Sequence, residues 1–275
     1  MDLSQVLEIA SQSDAGRVRS HNEDSIACDP AMGLVVLADG MGGYNAGEVA
    51  SGIAVTLISS GMKEVLKRID PARKDAKNGE RFGSRMLRDQ VIAANSAIFN
   101  AAQSKPEYAG MGTTLVAALF YDDRVSVAHL GDSRMYRLRG EQLDLLTHDH
   151  SFLQEQLDRG VLTPEEARVS KHKNIVTRAL GVEQDVEVEV GSFDILPEDI
   201  YLLCSDGLND MLEDEEIRFA VHTLRSNLKL AANQLVELAN DNGGRDNISV
   251  ILVKVKQGFA VQPGLISKLM TSFRK

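Results

Sequence analysis

The chain has 275 residues, of which 43% are hydrophobic, so its length allows one large globular domain or two small ones. Its formal net charge of −10 argues against a nucleic acid as the main partner, because phosphate backbones need a basic face. The N-terminus lacks the basic start and apolar run of a signal peptide, and we expect no apolar stretch that is long enough to cross a bilayer.

The first half of the chain alternates between short apolar runs and two longer helical patterns. Strands are predicted over residues 3–10, 25–28 and 33–38, and helices over 46–68 and 85–103. Four further strands are predicted over residues 113–120, 125–130, 134–139 and 142–146, with hairpin turns at Asp122-Asp123 and at residues 139–141.

The second half opens with a polar segment, residues 147–181, which we interpret as a mobile flap over the fold. Strands are then predicted at residues 186–190 and 201–204, and helices open around Asp214 and Ser226, which could serve as N-caps. The last strand, residues 248–255, is apolar on both faces and is therefore expected to be central. Strands in blocks with recurring hairpin signals indicate the α+β class, with antiparallel sheets and helices on their outer faces.

Three of the predicted strands end on an aspartate, at Asp39, Asp132 and Asp206. If these carboxylates lie near one another, each pair costs on the order of 4 kcal/mol at about 4 Å and an effective dielectric of about 20. Such a cluster either stays protonated or holds cations. Oxygen ligands without a Cys or His cluster favour a hard metal such as Mg²⁺ or Mn²⁺.

Two polar segments next to predicted strands add carboxylates, Arg and Asn. One covers residues 19–24 and the other covers residues 244–247. Because they lie almost a full chain length apart, they can share a metal site only in a fold that brings the two ends of the chain together.

Six motifs in order resemble those of the metal-dependent protein phosphatases of type 2C (PP2C), in their compact bacterial form. They are Arg19 with residues 22–24, then residues 37–43, 110–115, 131–134, 204–208 and 245–250. The resemblance implies a central sandwich of two antiparallel β-sheets flanked by α-helices. It also implies two Mn²⁺ or Mg²⁺ ions in a cleft, with a third ion nearby.

By motif position, the resemblance implies a role for each of several residues. Asp39 would bridge both metals, Gly40 would offer its backbone carbonyl, and Glu23, Asp206 and Asp246 would complete the pair. Asp132 and Asp206 would hold the third ion. Arg19 would bind the substrate phosphate through its guanidinium fork. Asp24 and Asn247 would orient the metal ligands.

The implied activity is that of a protein serine/threonine phosphatase. A water held between the two metals would attack the phosphoserine or phosphothreonine phosphorus directly, so no phosphoenzyme would be needed. Some family members carry a histidine after the Asp-Gly pair; Met41 stands there, which leaves the group that protonates the leaving oxygen unassigned. The alternative is a catalytically silent relative that only binds phosphoproteins. We interpret His148 and His150 as solvated loop residues.

The implied domain covers residues 1–256, followed by a basic amphipathic tail at residues 257–275. The tail could be a helix packed on its own domain, or a docking helix for an acidic partner or an anionic membrane surface. The implied partners are phosphorylated proteins and the pathway of a cognate Ser/Thr kinase. Cys28 and Cys204 form no disulfide framework, which is typical of a cytoplasmic protein.

Overall fold

The computed structural model describes residues 2–43, 46–163, 166–167 and 175–260. The strands are β1 (Leu7–Asp14), β2 (Asp24–Asp29), β3 (Leu34–Met41), β4 (Gly112–Thr113), β5 (Leu115–Tyr121), β6 (Arg124–Leu130), β7 (Arg134–Arg139), β8 (Gln142–Leu145), β9 (Glu189–Asp194), β10 (Ile200–Cys204) and β11 (Ile248–Val255). The α-helices are α1 (Ala46–Leu66), α2 (Phe82–Ser104), α3 (Phe152–Asp158), α4 (Asp206–Asn209), α5 (Asp214–Thr223) and α6 (Leu228–Asp241), and a 3₁₀ turn covers Pro106–Tyr108.

The strands form two sheets in which every described pair is antiparallel. One sheet has the order β1-β11-β10-β7-β8, and the other has the order β2-β3-β5-β6-β9 with β4 paired to β3. The inner faces of the two sheets share one core, in which the rings of Phe120 and Tyr201 meet edge to face at 5.3 Å. This core makes the fold a β-sandwich.

Helices cover the outer face of each sheet. The pair α1 and α2 packs on the sheet that contains β3 and β6, and the pair α5 and α6 packs on the sheet that contains β11. β11 is buried along almost its whole length, as its two-sided apolar pattern predicts. The α+β sandwich flanked by helices is therefore confirmed.

The expectation that no apolar stretch is long enough to cross a membrane was wrong for helix α1. By length and composition alone it qualifies as a candidate span. In this fold, however, Ala50, Ala54 and Ile58 are buried against the neighbouring sheet and α2. The burial of this face in the core accounts for the apolar character of α1.

Several element boundaries differ from the sequence prediction. Residues 3–6 form a turn in which the Val6 amide donates to the Leu3 carbonyl, so the first strand starts only at Leu7. The strand predicted at residues 186–190 begins at Glu189, because Val186 and Val188 pack against the core without joining the sheet.

Both predicted N-caps are shifted by one residue. Glu213, rather than Asp214, caps α5 through a capping box with Glu216. Asn227, rather than Ser226, caps α6, because its side chain accepts a hydrogen bond from the Leu230 amide. Neighbouring polar residues compete for such positions, so sequence alone locates a cap only to within a residue or two.

Two predicted segments extend outside the described residues. Most of the basic amphipathic tail, residues 261–275, lies outside them, as do residues 164–165 and 168–174 of the flap. Before the tail, Phe259 is buried in the sandwich core and its amide donates to the Asp123 carboxylate.

Candidate metal centre

Asp39 lies near the end of β3, and its backbone is held by Thr113 of β4 and by Thr114, which follows β4. It pairs with Asp24 across β2 and β3. Its carbonyl accepts hydrogen bonds from the Thr114 amide at 2.9 Å and from the Thr113 hydroxyl at 2.8 Å. Its own amide donates to the Thr114 hydroxyl at 3.2 Å. These bonds fix the backbone from which the Asp39 carboxylate extends.

Asn247 joins the two ends of the chain. Its buried side chain accepts a hydrogen bond from the Glu23 amide at 2.8 Å. Its amide nitrogen donates to the carbonyls of Ala15, at 3.1 Å, and His21, at 2.9 Å. Because β1 and β11 are neighbours, the two polar segments singled out in the sequence lie side by side.

Gly40 sits where two backbones approach closely. A Cβ atom at this position would lie 2.2 Å from the Gly47 carbonyl oxygen and 2.6 Å from the Glu23 carbonyl oxygen. The Gly40 amide donates to that same Glu23 carbonyl at 3.1 Å. Only glycine lets the first turn of α1 pack this tightly against the end of β3.

The clustered carboxyl groups perturb one another strongly. Burial, followed by the nearby Asp24 and Asp206 carboxylates, raises the pKa of Asp39 well above its ordinary value. Burial, followed by Asp132 and Asp210, does the same to the pKa of Asp206. Bound cations would relieve this repulsion.

The surrounding acids show the same trend. Burial is the main cause that raises the pKa of Asp24 and of Asp132 to about 6. Burial also raises the pKa of Glu23, against the opposing effect of Arg19. The cluster therefore resists ionisation as it stands.

Two carboxylate oxygens in this cluster, Asp24 Oδ1 and Asp206 Oδ1, are buried without a hydrogen-bond partner. The other Asp24 oxygen accepts a hydrogen bond from the Ser205 hydroxyl at 2.9 Å. The orphaned oxygen of Asp206, together with an all-oxygen donor set, suits hard divalent ions such as Mn²⁺ or Mg²⁺. The residues present therefore fit the metals that the sequence implied.

Arg19 stands at the rim of the cluster. Its Nη2 atom donates to Asp246 Oδ2 at 2.6 Å, and half of its side chain remains exposed. The structure thus places it beside one candidate metal ligand, with exposed surface that an incoming phosphate could contact.

A cavity of about 300 Å³ extends from the cluster toward the flap. Asp132 and Asp206 line it, as do Leu153 and Leu157 of α3. This cavity joins the candidate metal ligands to the first helix of the flap.

The interpretation of His150 as a solvated loop residue was wrong, because only 6% of the residue is exposed. Its Nδ1 atom accepts a hydrogen bond from the Gly131 amide at 3.2 Å, and its Nε2 atom lies 3.2 Å from Glu189. His148, in contrast, is half exposed and pairs with Asp158 at 2.8 Å. The pairing of His150 depends on tertiary contacts that its polar sequence neighbourhood does not reveal.

His129, His150 and Glu189 are the one group of described His, Cys, Asp or Glu residues whose ligand atoms all lie within 4.8 Å of one another. The Gly131 amide occupies the Nδ1 lone pair of His150, so the neutral ring carries its proton on Nε2. That proton points to Glu189 and leaves no lone pair for a metal. The wider spacing of the aspartates suits ions that keep several water ligands.

The sequence analysis assigned no role to several residues that build the site. Thr113 and Thr114 lie within the motif at residues 110–115, yet their hydrogen bonds to Asp39 depend on the pairing of β3 with β4 and β5. Ser205 precedes Asp206 in the sequence, but its hydroxyl donates a hydrogen bond to the Asp24 carboxylate. Arg134, also within a motif, binds Asp149 at the start of the flap.

Comparison with known proteins agrees with this geometry. Residues 14–240 match the family model described as protein phosphatase 2C. The serine/threonine phosphatase Stp of Listeria welshimeri is 40% identical over 88% of this chain and 94% of its own length. The serine/threonine protein phosphatase PstP of Mycobacterium tuberculosis is 39% identical over 91% of this chain, which spans 45% of that longer protein.

Solved structures give the same result. The crystal structure of M. tuberculosis PstP aligns with a TM-score of 0.82 and 38% identity, covering 92% of this chain and all of that one. The PstP catalytic domain in complex with two manganese ions aligns with a TM-score of 0.77 over 90% of this chain and 98% of that chain.

The chain therefore belongs to the protein phosphatase 2C family and is a metal-dependent serine/threonine protein phosphatase. The predicted family, fold class, enzyme class and Mn²⁺ or Mg²⁺ requirement are confirmed. The catalytically silent alternative finds no support in these comparisons.

Proposed function

We propose that this phosphatase holds two divalent ions through Glu23, Asp39, Asp206, Asp246 and the Gly40 carbonyl, and hydrolyses phosphoserine and phosphothreonine on proteins. The observation that carries the proposal is the buried acidic cluster with raised pKa values, which contains the unpartnered Oδ1 atom of Asp206. Asp132, which is also a buried acid of this cluster, would hold a third ion together with Asp206.

When bound, such ions ionise a water and neutralise charge on the phosphate. The chain itself supplies position. Thr113, Thr114 and Asn247 fix the backbones of Asp39 and Glu23, so these carboxylates are placed before substrate arrives. Asp39 would supply carboxylate oxygens to both ions.

Arg19 is proposed to bind the substrate phosphate. Asp246 Oδ2 already accepts from one of its terminal nitrogens, which orients the guanidinium at the rim of the cleft. The remaining N–H groups of the fork can bind two phosphate oxygens together. This contact would hold the phosphorus above the acidic cluster.

Asp24 and Asn247 are proposed to orient ligands rather than to bind metal. Asp24 is tied to the Ser205 hydroxyl, and Asn247 to the Glu23 amide. Substituting either residue should weaken metal affinity without removing a ligand.

The test is manganese-dependent hydrolysis of p-nitrophenyl phosphate and of a phosphothreonine peptide by the parent chain and by Asp39→Asn. The substitution keeps the shape of the side chain and removes its charge, so we expect both activities to fall more than about a hundredfold. Asp89→Asn is the matched control, because Asp89 lies on the exposed side of α2 and pairs only loosely with Arg85, at 3.9 Å.

Two results would reject the proposal. Full activity in Asp39→Asn would remove Asp39 from the centre. A parent chain that binds the phosphopeptide with no turnover in manganese would restore the silent alternative.

The cellular setting is also a proposal. We place the enzyme in the cytoplasm, where Cys28 and Cys204 would stay reduced; both are free in the structure. There it would reverse the action of a Ser/Thr kinase. Residues 1–256 would form the phosphatase domain and residues 257–275 a docking tail, so deleting residues 262–275 should change localisation or partner capture but leave p-nitrophenyl phosphate turnover intact.

A further inference from the structure

The segment that carries Asp132 is joined to the backbone of Asp39 by buried hydrogen bonds through Thr114. The Ser133 hydroxyl lies 2.7 Å from the Thr114 hydroxyl, and both residues are buried. Thr114 in turn bonds to Asp39 through its amide and its hydroxyl. Ser133 is therefore part of the frame that places Asp39.

The same segment grips the start of the flap at two points. Arg134 forms a two-pronged ion pair with Asp149, with Nε to Oδ1 at 3.0 Å and Nη2 to Oδ2 at 2.6 Å. One residue further on, the His150 amide donates to the Gly131 carbonyl at 2.9 Å, and its ring accepts from the Gly131 amide. Arg134 Nε also donates to Oδ2 at 3.1 Å, so five hydrogen bonds join residues 131–134 to residues 149–150 in these two contacts.

The Arg134–Asp149 pair is mostly buried, and a further hydrogen bond holds Arg134. The exposed fraction of the side chain is 24% for Arg134 and 10% for Asp149. The Arg134 Nη1 atom also donates to the Tyr136 hydroxyl at 3.0 Å, and that hydroxyl donates to Asp214 at 3.0 Å. A planar fork held in this way keeps Asp149 in one place, whereas an exposed ion pair would not.

What Asp149 positions is helix α3. Ser151 caps this helix two residues after Asp149, and its side chain accepts a hydrogen bond from the Gln154 amide at 3.2 Å. Leu153 and Leu157 of the helix line the same cavity as Asp132 and Asp206, and Arg134 and Asp149 line it too. A shift of Asp149 would therefore move part of the lining of a cavity that two candidate metal ligands also line.

We propose that Arg134 and Asp149 are positioning residues that hold α3 over the metal centre, so that this cavity binds the residues flanking the phosphorylated side chain. The inference rests on the proposed function. A substrate of peptide size extends into the cavity, but an aryl phosphate needs only the metals and Arg19. Loss of the pair should therefore weaken phosphopeptide binding selectively.

The experiment compares steady-state kinetics of the full chain and of Asp149→Asn in manganese, with p-nitrophenyl phosphate and a phosphothreonine peptide as substrates. We expect KM for the peptide to rise about tenfold, because small displacements of a positioning element have effects of this order or larger. We expect kcat/KM for the aryl phosphate to stay within about twofold of the parent.

Asp144→Asn is the matched control. Asp144 also pairs with an arginine of β7, at 2.7 Å from Arg137, but it lies on β8 and does not line the cavity. Its kinetics should equal those of the parent for both substrates. Arg134→Lys, which keeps the charge and loses the fork, should raise the peptide KM as Asp149→Asn does.

Each other outcome overturns the proposal. An unchanged peptide KM would show that the pair does not position the cavity wall. An equal loss on both substrates, or loss of the folded circular dichroism spectrum in both Asp149→Asn and Arg134→Lys, would make the pair a support of the fold. A parent chain inactive on both substrates would instead refute the proposed function, which separates the two failures.

Discussion

Replacing Gly40 with alanine tests how closely the metal centre depends on backbone packing. The added Cβ would meet the Gly47 carbonyl oxygen at 2.2 Å, the Gly47 carbonyl carbon at 2.4 Å and the Glu23 carbonyl oxygen at 2.6 Å. All three atoms are backbone, so no side chain can rotate to make room. Either α1 or the loop at Glu23 must shift.

The size of the effect follows from that geometry. Overpacking of this kind costs about 1–3 kcal/mol, and contact with backbone on two sides puts Gly40→Ala near the upper end, at about 3 kcal/mol. At about 2–4 °C per kcal/mol for a domain of comparable size, the melting temperature should fall by about 6–12 °C. Because Gly40 and Glu23 are both proposed to contact metal, manganese-dependent activity should fall more than about a hundredfold.

Gly52→Ala provides the matched control on the following helix. Apart from the neighbouring backbone of α1 itself, no atom lies within 4 Å of a Cβ placed on Gly52, which is inside this helix. There alanine should stabilise the helix by about 1 kcal/mol, with activity unchanged. Thermal unfolding followed by circular dichroism, with and without manganese, measures both variants. Equal melting temperatures for Gly40→Ala and the parent would refute the steric reasoning.

Arg19→Ala should raise KM for p-nitrophenyl phosphate about tenfold, because it removes a charged hydrogen bond to phosphate; a fall in kcat alone would contradict that role. Manganese at about a hundred times its dissociation constant should stabilise the parent by about 2.7 kcal/mol, and thermal shift should show no such gain in Asp39→Asn. With the metal removed, stability should fall as pH rises from about 4 to about 6, because Asp24 and Asp132, whose pKa is raised to about 6, keep their protons longer in the folded state than in the unfolded one. Denaturant midpoints for Asp132→Asn should show a smaller fall, and a pH profile identical to that of the parent would contradict this assignment.

Local pattern was sufficient to predict most of the strands and helices. The last strand was predicted at its observed limits, residues 248–255, because it is apolar on both faces and bounded by polar residues. The hairpin at Asp122-Asp123 was likewise recognised from its turn residues, and both adopt positive φ values, 47° and 51°. Edge strand β9 was misplaced, since Val186 and Val188 give a strand-like pattern although they pack outside the sheet.

The sequence also pointed to the acidic residues of the site and, through the family resemblance, to Asp24 and Asn247 beside them, but not to the other residues that hold them. Strand ends and motif order single out Asp39, Asp132 and Asp206. The roles of Arg134 and His150 depend on contacts between residues 131–134 and the flap, which no local periodicity encodes. That two antiparallel sheets form the core came from the family resemblance, because the strand pattern itself fixes no number of sheets.

The pattern of hydrogen-bonded and unpaired polar groups explains how this centre can bind metal without rearranging. The groups that fix its backbone are neutral, namely the side chains of Thr113, Thr114 and Asn247, and each makes its hydrogen bonds within the protein. Among the buried side-chain oxygens and nitrogens that the described residues leave without a partner, two belong to carboxylates of the cleft, Asp24 and Asp206. The frame therefore does not rely on the ionisation of the acids that it carries. Divalent ions can bind to carboxylates that are already in position, so that their binding energy relieves charge repulsion instead of ordering the chain.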